Sequence, residues 1–162
     1  MRLLLFIALF AIAALPAAAQ SNSGASALQY YVGTWSCTGQ ATGQPPSRAT
    51  ITYTMDSGIL RSAIDAPKMG KMKQAYISSS STTYDAKGNR YLVGGASNDP
   101  AAFASTWTLS GNVETGRDAW VSNGKPGRSQ TVRNSGNMFT YTGYDTVAST
   151  KPSFKATCRK SS

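Results

Sequence analysis

Gly33-Thr34-Trp35-Ser36-Cys37-Thr38-Gly39 is the stretch whose reading decides the fold. Trp35 and Cys37 fall on one face of an extended segment and Thr34, Ser36 and Thr38 on the other, the period of two of a half-buried strand. Near the C-terminus Phe154, Ala156 and Cys158 alternate in the same way with Lys155, Thr157 and Arg159. A Cys37–Cys158 disulfide between the two apolar faces would lie inside, leave both polar faces in solvent, and pair the first strand with the last. Such pairing removes the exposed edges of an open sheet. An immunoglobulin-like sandwich would instead carry its cysteines on two internal strands. The two ends therefore favour a closed barrel over a sandwich.

The chain between these ends reads as strands and tight turns. Ala49, Ile51, Tyr53 and Met55 alternate with Arg48, Thr50, Thr52 and Thr54, Asp56-Ser57-Gly58 turns the chain, and Ile59 to Asp65 returns antiparallel. Residues 66–71 are a loop, and a long polar strand from about Lys73 to Tyr84 leads into the hairpin connection Asp85-Ala86-Lys87-Gly88-Asn89. Arg90 to Gly95 is a strand and Ala96 to Ala102 a loop. Phe103 to Leu109 is a strand with Phe103, Ser105, Trp107 and Leu109 on one face. Val113 to Ser122 is poorly patterned, and Arg128 to Arg133, Met138 to Asp145 and Ser153 to Lys160 complete a meander. Ahead of the first strand, Leu28, Tyr31 and Val32 fall at i, i+3, i+4, a short helical turn suited to capping one end of a barrel. About nine or ten short strands without a long helix predict an all-β, up-and-down antiparallel barrel.

The N-terminus carries an export pattern: Arg2, the apolar run Leu3 to Leu15, Pro16, and the small residues Ala17-Ala18-Ala19. Residues 1–19 are expected to be a signal peptide cut before Gln20, residues 20–27 a flexible leader, and residues 28–162 one barrel domain. The apolar run is too short to span a bilayer, so the mature chain is expected to have no transmembrane segment and to reach the periplasm or the medium. In an oxidising compartment the chain's two cysteines have one intramolecular pairing available, Cys37 with Cys158, against the alternative of two buried free thiols.

The formal net charge is +9, with 16 Lys and Arg against 7 Asp and Glu. These cations are spread singly, so a solubilising surface is the simpler reading and an outer surface for anionic envelope polymers the functional one. No nucleic-acid partner is expected in that compartment. The chain has no histidine, which excludes a Ser-His-Asp triad, His-ligated haem and the usual zinc sites. No metal and no cofactor are expected, and no catalytic residues are assigned. If the protein were an enzyme, Asp65 or Asp118 inside a barrel would supply acid–base chemistry, as in a cofactor-free isomerase or cyclase.

Gly33-Thr34-Trp35 resembles the Gly-x-Trp opening of the calycin superfamily: lipocalins, fatty-acid-binding proteins and avidin-like barrels. With the closing Thr157-Cys158-Arg159-Lys160, the pattern is similar to small secreted bacterial lipocalin-like domains. The resemblance implies that Trp35 plugs the closed end and that an arginine of a late strand, Arg159, covers it. The lipocalin Thr-Asp-Tyr signature is absent, and Thr83-Tyr84-Asp85 only approximates it. Tyr53, Met55, Tyr76, Trp107, Trp120 and Tyr141 are the aromatic and soft side chains from which a ligand cavity would be built. Arg61, in phase with Ile59 and Ala63, would need a carboxylate or a bound anion if it faced inward. The expected function is binding of a small, partly apolar and, through Arg61, anionic ligand. The alternative is a non-catalytic envelope interaction module that uses the basic outer surface.

Overall fold

A computed structural model describes residues 24–67, 74–98, 102–122 and 124–161. The helical turn Leu28–Tyr31 precedes ten strands: β1 (Gly33–Ala41), β2 (Ser47–Asp56), β3 (Ile59–Ala66), β4 (Tyr76–Asp85), β5 (Arg90–Ser97), β6 (Ala102–Ser110), β7 (Val113–Val121), β8 (Arg128–Ser135), β9 (Met138–Tyr144) and β10 (Phe154–Lys160). Each pairs antiparallel with its sequence neighbours and β10 pairs with β1, giving a closed up-and-down barrel. The expected fold is the observed one.

The closure register follows from the alternation at the two ends. Cys37 lies opposite Cys158, the two form a disulfide, and both are buried. On β1 the inward Trp35, Cys37 and Gly39 are buried, while Thr34, Ser36, Thr38 and Gln40 are exposed. Gly33 enters this strand at φ +123°, which L side chains rarely adopt, and a Cβ there would lie 2.8 Å from the Lys160 side chain. The first residue of the Gly-x-Trp signature is thus fixed by backbone geometry. The β2–β3 connection has positive φ at both Ser57 (49°) and Gly58 (80°), the handedness that matches strand twist in a two-residue hairpin.

Three sequence expectations need correction. Residues 24–27, expected to be part of a flexible leader, are helical and docked: Tyr91 Oη donates to the Gly24 carbonyl (3.1 Å) and Arg133 Nη1 to the Ala27 carbonyl (3.0 Å). On β3 the inward residues are Leu60, Ser62, Ile64 and Ala66, so Arg61 and Asp65 face solvent. Trp120 also faces out. A bulge in β7 leaves Ala119 unpaired, so that Asp118 lies opposite Ser105 but Trp120 lies opposite the next residue, Ala104. One extra residue reverses the face of all that follows. The expected signal peptide, residues 1–19, lies outside the described residues.

The disulfide spans 121 residues of chain, and in the chain-entropy treatment a loop of that order contributes about 4–5 kcal/mol. The Cys37→Ala/Cys158→Ala variant is therefore expected to melt roughly 10–15 °C below the oxidised wild type in differential scanning calorimetry. An unchanged Tm would mean that strand pairing alone holds the β1–β10 seam.

Candidate functional site

The barrel interior has two unlike halves. At the end bounded by the start of β1, the helical turn lies across the opening. Its Leu28 and Tyr31 are buried, and Trp35, at 0% exposure, donates from Nε1 to the Tyr31 carbonyl at 2.6 Å. The rings of Tyr30, Tyr31, Tyr53 and Phe139 gather around Tyr31 and Trp35 at centroid separations of 4.8–6.5 Å. Tyr30 Oη donates to the Met138 and Ser135 carbonyls (2.8 and 2.9 Å), tying the turn to the β8–β9 hairpin.

An ion pair sits within this plug. Glu114 from β7 is 3% exposed; its Oε2 accepts from Tyr31 Oη at 2.7 Å and its Oε1 from Arg133 Nε at 3.0 Å and from Arg133 Nη2. The Arg133 guanidinium also lies 4.7 and 5.0 Å from the ring centroids of Tyr30 and Tyr31. Desolvation works to lower the Arg133 pKa, but the Glu114 carboxylate and Tyr31 together more than offset it and the net shift is upward. Burial, reinforced by Glu114, pushes the Tyr31 phenol far above its ordinary value. Glu114 and Arg133 are engaged with each other and with the plug, so their arrangement is that of a structural clasp.

Towards the other end the inward side chains are mixed, with Ile64, Phe103 and Phe154 among hydroxylic residues. Ser78, Thr82, Ser105 and Thr131 are buried, and Ser62 and Ser80 share a hydrogen bond of 2.7 Å between β3 and β4. Trp107 shares β6 with Ser105, Asp118 lies opposite Ser105 on β7, and Tyr141 is on β9. Asp118 Oδ1 accepts from Ser105 Oγ (2.7 Å) and Oδ2 from the Gly127 amide (2.9 Å). Trp107 lies over Gly116, where a Cβ would come within 2.8 Å of its indole nitrogen. Burial raises the Tyr141 pKa; a hydrogen bond with Ser129 opposes the shift, and Asp118 and Tyr76 add to it. Burial, then Glu114, then Tyr141 raise that of Tyr53.

Among the described residues no buried side-chain nitrogen or oxygen lacks a hydrogen-bond partner. Tyr53, on an inward side chain packed against the closed-end cluster, keeps part of its surface accessible. The other inward residues of β2, Ser47, Ala49, Ile51 and Met55, likewise keep part of their surface accessible, whereas those of β1 do not. A separate open indentation of about 290 Å³ at the β9–β10–β1 seam is lined largely by outward residues, including Thr38, Thr140, Thr142 and Lys155.

Of the residues expected to line a cavity, Tyr76 and Tyr141 face the interior, and Tyr53, Met55 and Trp107 face inward packed against the closed-end cluster. Trp120, at 53% exposure, is outside, and Arg61 pairs with Asp56 on the surface at 3.3 Å. Arg159 is exposed because β10 runs without a bulge. The cation over the Trp35 ring is Lys160, with Nζ 5.6 Å from the centroid, and the arginine in the plug is Arg133. Glu114 and Arg133 escaped the sequence reading because each shares its strand with other charged residues, Arg117 and Asp118 on β7 and Arg128 on β8; the signal that could have flagged them is that each falls in the inward phase of its strand, with Gly116 and Thr131. Asp65 is on the outer surface. Among the described residues no group of three His, Cys, Asp or Glu is placed to hold a metal ion.

No protein-family model matches the chain, and no curated protein does. Among solved structures, a redesigned β-barrel is similar at 13% sequence identity, covering 84% of this chain and 96% of that one, with a TM-score of 0.48.

Arg133→Met leaves Glu114 buried and unpaired and is expected to cost about 3–5 kcal/mol in urea unfolding, with part of the loss recovered in Glu114→Gln/Arg133→Met. Equal losses in the single and double variants would contradict the clasp. The raised tyrosines give the pH dependence a definite sign. Their contribution to stability is complete below the unfolded value of 10.0 and is lost as pH rises through the folded values. Absorbance at 295 nm is expected to show Tyr31, Tyr53 and Tyr141 ionising only together with loss of near-UV circular dichroism.

Proposed function

We propose that this protein is an exported, calycin-like binding barrel that takes a small ligand into its lumen from the end opposite the Trp35 plug. The observation that carries this reading is that the inward side chains of Tyr53, Tyr76, Trp107 and Tyr141 all keep part of their surface accessible inside a closed barrel. An aromatic wall, a hydroxyl wall and a closed floor supply the usual parts of a small-molecule site: apolar surface for affinity and a few convergent polar groups for orientation. The disulfide between the chain's two cysteines fits an oxidising destination. An anion-binding role for Arg61 is not part of the proposal, because that side chain is on the outer surface. An acid–base role for Asp118 has little support, since both of its oxygens already accept protein hydrogen bonds.

A second reading has its own observation. Arg48, Lys155 and Arg159 are exposed beside the outer face of β1, opposite Thr38, Gln40 and Ser36, and among the described residues none of them takes part in an ion pair. Such a face suits a polyanionic envelope polymer, and its binding would weaken steeply with salt.

Trp107 borders the lumen, so ligand entry is expected to change tryptophan emission and to raise Tm by mass action. Tyr141→Phe and Trp107→Phe are each expected to weaken binding about 10-fold, or about 1.4 kcal/mol, in calorimetric titration. A library of small apolar, amphiphilic and polar compounds that leaves both emission and Tm unmoved would refute lumen binding.

A further inference from the structure

We infer that the outer wall from β7 round to β2 is a track for an acidic polysaccharide, with Arg117 and Arg128 as its anchoring subsite. The inference rests on the outer-surface reading and deepens it by naming the polymer and its path. Its first support is the segregation of charge. The outward carboxylates of the strands, Asp56, Asp65 and Asp85, lie on β2, β3 and β4, and Asp56 and Asp85 are paired with Arg61 and Arg90. On β6 to β10 and on β1 the only carboxylates, Glu114 and Asp118, face inward. The outward cations of those strands, with Arg48 near the start of β2, are Arg117, Arg128, Lys155 and Arg159. Among the described residues none of the five takes part in an ion pair. The second support is the Arg117–Arg128 pair, which lies directly opposite on β7 and β8 in the outward phase. Like charges so placed destabilise a ladder, and Asp145, exposed just beyond Tyr144, pairs with neither. Arg128 is nonetheless held in place: its Nη2 donates to the Ser149 carbonyl at 2.7 Å, and its guanidinium lies 3.5 Å from the Tyr144 ring centroid. A fixed guanidinium opposite an exposed one presents a set of N–H donors that an anionic group can bridge.

Spacing supplies the third support and selects the polymer. From Arg128 on β8 to Lys155 on β10, and from Lys155 to Arg48 on β2, each step crosses two strands and shifts two residues along them, about 12 Å of wall. Duplex DNA carries a charge about every 1.7 Å, far denser than these cations. A glycan with an acid on alternate sugars is sparse enough to match them. Between the cations the wall offers hydroxyls and an amide. An open indentation of about 290 Å³ is lined by Thr38, Gln40, Thr140, Thr142, Lys155 and Thr157, and a second of about 370 Å³ shares Gln40 and Lys155 with it. Such groups both donate and accept, as sugar hydroxyls do. The strands β7 and β2 are five steps apart among the ten of the closed barrel, so a flat bilayer cannot meet both ends of the track. A flexible polymer follows the curve.

The test titrates the purified protein at low salt with hyaluronate, which carries a carboxylate on alternate sugars, with neutral dextran and with duplex DNA. Hyaluronate is expected to bind most tightly and dextran not at all. Arg48→Gln/Lys155→Gln and Arg117→Gln/Arg128→Gln are each expected to weaken hyaluronate about 10-fold. The control Arg61→Gln/Arg90→Gln, which removes the same charge from the acidic side of the barrel, is expected to stay within about 2-fold of the wild type. The Arg48/Lys155 variant alters only exposed side chains and provides the same reading should the loss of Arg128 unfold the protein. Equal losses in the wall and control variants would mean attraction by net charge alone, overturning the track and leaving outer-surface polymer binding intact. Duplex DNA bound more tightly than hyaluronate, or dextran bound equally well, would overturn the partner class. Failure of hyaluronate and DNA alike to bind would remove this inference and the outer-surface reading together.

Discussion

The pairing of β1 with β10 is the constraint on which the rest of the molecule depends. It converts a ten-strand meander, which would expose two edges, into a barrel that has none. It also fixes which face of every strand points inward, because a slip of one residue at the seam would turn Trp35 and Cys37 out and Thr34 and Ser36 in. The disulfide sits in the middle of this seam, joining the two inward faces at one level of the ladder. Its role is one of register as much as of stability: with Cys37 bonded to Cys158, the alternative pairings of the first and last strands are unavailable.

Once the barrel is closed, its two ends face different physical demands. At the plug the helical turn brings backbone polar groups into an apolar environment, and each must find a partner there. The indole of Trp35, the hydroxyl of Tyr91 and the guanidinium of Arg133 take the Tyr31, Gly24 and Ala27 carbonyls respectively. Glu114 is then needed to neutralise Arg133, and Tyr31 to complete the carboxylate's hydrogen bonds. The buried charge pair is thus a consequence of closing a barrel with a polypeptide segment. In the opposite half the inward hydroxyls of Ser62 and Ser80 pair with one another and that of Ser105 with Asp118.

The sequence was most legible where alternation is strict and both faces have distinct chemistry. The strand from Ser47 to Asp56 carries four apolar residues alternating with Arg and Thr, and its span and facing follow directly from that pattern. Legibility fails on β4, where Ser78 to Thr83 is hydroxylic on both faces and hydropathy has no phase to read, although half of these residues line the interior. It fails again on β7, where the bulge at Ala119 reverses the facing of Trp120, an aromatic that alternation from Glu114 would have turned inward. Arg61 illustrates a third cause. Ile59 and Ala63 suggested an apolar face for it, but Leu60, Ile64 and Ala66 form the stronger one, and the barrel selects the face that buries more apolar surface.

The same limits explain why the candidate site was only half visible. Aromatic residues announce themselves as wall material, and four of those named do face the interior. A lumen, however, is defined by what small side chains leave unfilled, and a serine on a strand gives no sign of whether it lines a cavity or meets bulk water. Here the inward serines Ser62 and Ser80 of β3 and β4 are paired with each other. Gly116 shows the same blindness of hydropathy: its missing Cβ lets the Trp107 indole and the Ser129 hydroxyl approach β7 together, and a side chain at that position would meet both at once.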